Sequence, residues 1–77
     1  MAEETFVTGK NFVYSRDVNG EIKYRVIKFN EIEIINTSSE KSGLIVVETK
    51  VDTYNLNGKE EIALFRKWFA ENNKVGK

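Results

Sequence analysis

Hydrophobic positions recur with a period of two over most of the chain and change to a helical period only near its end. Between positions 6 and 16, Phe6, Val7, Phe12, Val13 and Tyr14 flank a Gly9-Lys10-Asn11 interruption, which predicts one bulged strand or two short ones. Asp17-Val18-Asn19-Gly20 follows. Asn-Gly is the strongest short hairpin signal, because both residues tolerate the positive φ of a type I′ turn. From Glu21 to Phe29 the residues alternate, with Ile22, Tyr24 and Val26 on one face and Lys23 and Arg25 on the other. This reads as a half-buried antiparallel strand with the apolar set inward. After a short break at Asn30-Glu31, the β-branched stretch from Ile32 to Asn36 predicts a further strand. The polar segment from Thr37 to Gly43 predicts an exposed turn. Leu44 to Val51 is the most apolar run and reads as a central strand, its alternation continuing toward Tyr54 and Leu56.

From Lys59 the period becomes helical. Asn57 is placed to act as N-cap with Glu60 three residues on, and Glu60 and Glu61 sit where the helix dipole favours acids. Ile62, Phe65 and Phe69 form one stripe, and Leu64 and Trp68 widen it beyond the roughly 100° that one core-facing stripe needs. The helix is expected to end near Asn72-Asn73.

These elements predict an α+β fold: an antiparallel sheet of four to five strands, as a meander or a small SH3-like barrel, followed by one C-terminal helix packed on it. With 77 residues the chain fits a single small domain, 1–77, in which residues 1–5 and 74–77 are expected to be disordered. From Phe29 to Phe69 the chain resembles short bacterial and phage proteins built as a few strands followed by a Glu-rich helix. The likeness rests on an apolar strand and the Gly58-Lys59-Glu60-Glu61 helix start, features general to α+β chains, and implies no function. Abundant Lys, Asn and Ile with no Pro match AT-rich coding, in line with a phage or mobile-element origin.

Composition narrows the chemistry. Cysteine and histidine are both absent, which removes disulfides, thiolate chemistry and the commonest base and metal ligands together. Glu31 and Glu33, two apart on a strand, offer a hard cation only part of the oxygens it needs. The glycines are dispersed as single turn residues, so no phosphate-cradling loop is present. The reading is therefore non-enzymatic, with no metal, no cofactor and no small-molecule substrate. No apolar run reaches the ~18 residues of a bilayer span and the N-terminus is acidic, so no membrane contact is expected and a cytoplasmic location is.

Twelve basic and twelve acidic side chains give zero net charge, so there is no global field to attract a phosphate backbone. Two local features remain. Leu64 and Trp68, at the edge of the helix stripe, suit a contact with a protein partner or a second copy in a homo-oligomer, since Trp is enriched in interface hot spots. Equally, they suit closure of the core rim. The first hairpin, residues 10–29, mixes aromatic side chains with Lys10, Arg16, Lys23, Arg25 and Lys28, a combination a strand platform uses to stack bases and hold phosphates. Its plain reading is that the aromatics enter the core and the cations solubilise the outside. The leading expectation is a small protein-binding module acting as an adaptor, inhibitor or assembly subunit; the alternative is a nucleic-acid-binding protein using that hairpin.

Overall fold

The structure, a computed structural model, describes residues 4–74. Its elements run β1 (Thr5–Thr8), β2 (Asn11–Val18), β3 (Glu21–Lys28), a 3-10 turn (Phe29–Glu31), β4 (Ile32–Asn36), a second 3-10 turn (Glu40–Ser42), β5 (Leu44–Thr49), β6 (Thr53–Asn57) and α1 (Lys59–Lys74). The class is α+β, as the pattern predicts. The strands, however, form two three-stranded antiparallel sheets, β1-β2-β3 and β4-β5-β6, in place of the single sheet of four to five strands expected.

Two turns and one link account for the difference. At Gly9, with φ of +58°, the chain reverses between β1 and β2, so the interrupted first segment is two strands. The reversal between β5 and β6 contains neither Gly nor Pro and is built by side chains. Thr49 Oγ1 accepts the amide hydrogens of Val51 and Asp52 at 3.2 and 3.0 Å and donates to the Asp52 carbonyl at 2.8 Å. Apolar alternation runs through it, and so the sequence reads as one long strand. Between the sheets, Phe29 packs edge-on to Trp68 and against Phe69, which draws the β3–β4 link toward the helix. The 3-10 turn there also takes Glu31 out of any strand. A register shift between Ile32 and Ile34 then marks a bulge around Glu33, so the two glutamates do not share a regular strand face.

The β2–β3 hairpin turns where expected. Asn19 and Gly20 both have positive φ, 55° and 86°, and Asp17 Oδ1 accepts the Gly20 amide hydrogen at 2.9 Å. Its facing is the reverse of the expectation. Phe12 and Tyr14 of β2 are in the core, and they pair across the ladder with Ile27 and Arg25 of β3. Residues directly opposite each other lie on the same face of a sheet, so Ile27 and Arg25 turn inward and Tyr24 and Val26 turn out. Alternation within β3 fixes two faces but not which of them is covered.

Helix α1 closes the core between the inner faces of both sheets. Ile62, Phe65 and Trp68 are buried with Phe12, Ile27, Ile45, Val47, Tyr54 and Leu56, while Leu64 and Phe69 are half-buried against that cluster. Phe65 is edge-on to Phe12 with centroids 5.3 Å apart. Trp68 lies 5.6 Å from Phe12 and donates its indole hydrogen to the Gly9 carbonyl at 2.9 Å. The helix start also differs from the expected cap. Asn57 is the last residue of β6, and it is Glu61, not Glu60, whose carboxylate accepts the Asn57 amide hydrogen, at 2.9 Å.

Glu4 accepts the Ser15 amide hydrogen at 2.9 Å, Thr5 opens β1 and Lys74 completes α1. Of the ends expected to be disordered, residues 1–3 and 75–77 lie outside the described residues. Among the described residues no helix is long and apolar enough to cross a membrane.

Candidate functional site

The outward face of the first sheet carries aligned apolar side chains. Register places Phe6 of β1 opposite Val13 of β2, and Val13 opposite Val26 of β3, so an apolar row crosses all three strands. Tyr24, two residues before Val26, and Ile22 beyond it extend this face along β3. Phe6 is 42%, Val26 41% and Tyr24 55% exposed. Single exposed apolar side chains are ordinary on protein surfaces, but a row aligned across a whole sheet is a continuous patch. Ile34 and Val51, exposed on the second sheet and its turn, belong to no such row.

Polar groups frame the row on both sides. Glu4, beside Ser15 at the strand-start side, accepts the Tyr24 hydroxyl hydrogen at 3.1 Å. That bond, and the carboxylate's charge, push the Tyr24 hydroxyl above its usual titration range. Ser15, fully buried between the strands, is satisfied by the Glu4 backbone, accepting its amide hydrogen at 2.7 Å. On the other side of the row, Thr8, Asn11 and Lys28 align across the strands. The face is thus acidic on one flank and basic on the other.

The inner face of the same hairpin is charged beyond the core, and every charge there has a partner. Arg16 grips Glu61 through both terminal nitrogens, at 2.8 and 2.6 Å, and also donates to the Asn55 carbonyl at 2.8 Å. Its guanidinium lies 4.5 Å from the Tyr14 ring centroid. Arg25 pairs with Asp52 at 2.8 Å and lies 4.6 Å from the Tyr54 ring centroid. The two tyrosine rings meet edge to face at 6.4 Å. Glu61 also accepts from Thr5 Oγ1 at 3.3 Å, so one buried carboxylate joins β1, β2, β6 and α1. Burial raises the Tyr14 hydroxyl above its ordinary value, with Arg25 and Arg16 acting in the opposite sense. Such a bonded cluster ties the hairpin to β6 and to the helix.

The residues singled out from sequence therefore separate. Trp68, 3% exposed, is a core side chain, and Leu64 is half-buried against the same core, so the widened helix stripe is used within the chain. Of the five hairpin cations, Arg16 and Arg25 are held on the inner face, and Lys23 lies 3.3 Å from Glu21. Lys10 sits 5.3 Å over the Phe29 ring. Lys28 alone of the five reaches the outward face. Tyr24 and Val26 of this row read in sequence as inward-facing; only their register against β2, where Phe12 and Tyr14 are the buried residues, places them outside.

A smaller apolar cleft of about 270 Å³ lies between β4, β5 and the helix, lined by Ile35, Ile45, Phe65, Phe69 and Ala70. Arg66 stands at its rim, tied to Glu40 by a two-nitrogen ion pair. Its volume falls just below the ~300 Å³ at which small-molecule pockets begin. No protein-family model matches the chain, and no curated protein or solved structure matches it.

Proposed function

We propose that this protein is a small non-enzymatic protein-binding module, an adaptor, inhibitor or assembly subunit, whose contact surface is the outward face of the β1-β2-β3 sheet. The observation that carries this reading is the apolar row Phe6, Val13 and Val26, extended by Tyr24, across a three-stranded sheet, with Phe6, Val26 and Tyr24 exposed and Val13 half-buried. Covering an apolar sheet face removes it from water and lowers the free energy, so such a face favours a partner. Tyr24 adds an amphipathic ring of the kind enriched at interfaces. This reading moves the contact surface from Leu64 and Trp68 on the helix to the sheet.

Nucleic-acid binding is the second reading, favoured by two exposed aromatic rings, Phe6 and Tyr24, with Lys28 on the same face. It is the weaker of the two because Arg16, Lys23 and Arg25 are engaged with acids and Glu4 stands among the rings. The test compares affinity capture from the native host by the wild type, by Val26→Lys and by Ile34→Lys, a control on the second sheet. Protein-binding through this face predicts partners retained by the wild type and the control and lost with Val26→Lys, with little dependence on salt. Capture of nucleic acid that weakens steeply with salt supports the second reading instead. An identical set of captured molecules for all three proteins overturns the assignment of this face.

A further inference from the structure

The geometry points to a second copy of this chain as the molecule that covers the outward face of the first sheet, packed against it about a two-fold axis. This inference rests on the reading of that face as a protein-binding surface and names its occupant.

The register supplies the symmetry. The row Phe6, Val13 and Val26 runs straight across the strands. A two-fold axis lying in the interface along that row sets the row on its own copy and reverses the strand direction. Each β3 then lies over the other β3. Tyr24 and Lys28, two residues to either side of Val26, exchange places, so Lys28 of one copy meets Tyr24 of the other. The Glu4 carboxylate is already bonded to the Tyr24 hydroxyl, and Lys28 arrives at an acid and an aromatic face together. Because the operation is two-fold, the same contact forms twice.

Charge selects this occupant over others. The acidic flank and the basic flank lie on opposite sides of the row, an arrangement complementary to itself when reversed. A phosphate backbone or an anionic lipid surface would gain Lys28 and meet Glu4. Face-to-face sheets pack about 10 Å apart with strands within about 30° of alignment, which an apolar row of medium-sized side chains permits. From strand spacing and rise, the footprint is roughly 14 by 20 Å per copy. The area removed from water is then below the ~1,200 Å² of standard stable interfaces, so the association is weak and depends on concentration.

Sedimentation equilibrium of the full chain from micromolar to millimolar concentration tests the inference, with circular dichroism to verify folding of each variant. The mass is expected to rise toward that of a dimer. Glu4→Lys and Lys28→Glu, both at exposed positions, should each weaken association by about fivefold or more. An equimolar mixture of the two variants should recover the wild-type affinity, since each like-charged contact becomes an opposite-charged one. A dimer indifferent to both reversals, or variants that do not rescue each other, overturns the two-fold packing. A wild type that stays monomeric at millimolar concentration removes the second copy as occupant. If host proteins are then still captured in a Val26-dependent way, the protein-binding reading of the face survives; if they are not, both fall.

Discussion

Replacing Glu61 with Gln isolates the contribution of one carboxylate to the whole fold. Gln keeps the length of the side chain and an oxygen able to accept the Asn57 amide hydrogen, so packing and the helix start are largely preserved. What it removes is the charge that Arg16 grips at 2.8 and 2.6 Å. Breaking a fully buried ion pair by removing one partner costs about 3 to 5 kcal/mol. Here the Arg16 side chain is 24% exposed and Glu61 10%, so water screens part of the interaction, and the expected cost is about 2 to 3 kcal/mol. A chain of this size has a total stability of roughly 4 to 12 kcal/mol. The melting temperature should therefore fall by roughly 10 to 20 °C. Thermal unfolding by circular dichroism and urea titration both read the change, and the urea slope should stay constant if only stability is altered. Arg16→Met and the double variant complete a cycle in which the combined loss is smaller than the sum of the single losses. If Glu61→Gln melts within about 3 °C of the wild type, the ion pair is a surface contact of little consequence and the reasoning fails.

Phe65→Ala opens a cavity beneath Phe12 and Trp68 and should cost about 3 to 5 kcal/mol by urea titration, enough to unfold much of the population at 37 °C. Tyr14 titrates above its ordinary 10.0 because it is buried, so its neutral form is favoured in the folded state. Its contribution is complete below the unfolded value and is lost as pH rises through the folded one, so stability should fall on the alkaline side of about pH 10. Melting curves of the wild type and Tyr14→Phe taken from neutral pH upward check this: the variant should lose less stability over the alkaline range, and parallel curves would refute the assignment.

Local signals in the sequence determined much of the secondary structure. The Asn19-Gly20 turn, the strand character of the first two-thirds and the helix from Lys59 follow from turn chemistry and hydrophobic period, which need no distant residue. The side-chain turn at Thr49 to Asp52 was hidden because it uses hydroxyl and carbonyl groups in place of glycine, and alternation passes through it undisturbed. What only the tertiary structure decided is which face of each element is covered. Tyr24 and Val26 have the pattern of core residues, yet pairing with Phe12 and Tyr14 turns Arg25 and Ile27 inward and leaves them at the surface. Trp68, legible as either interface or core, became core because the β1–β2 turn brings the Gly9 carbonyl to its indole and Phe29 folds back against its ring. Arg16 and Glu61 are 45 residues apart and carry no shared local signal, so the ion pair that joins hairpin and helix exists only once the sheets are assembled. Period and turn chemistry act over a few residues, whereas burial and charge pairing act between elements, and the candidate binding face of this protein is set by the second kind.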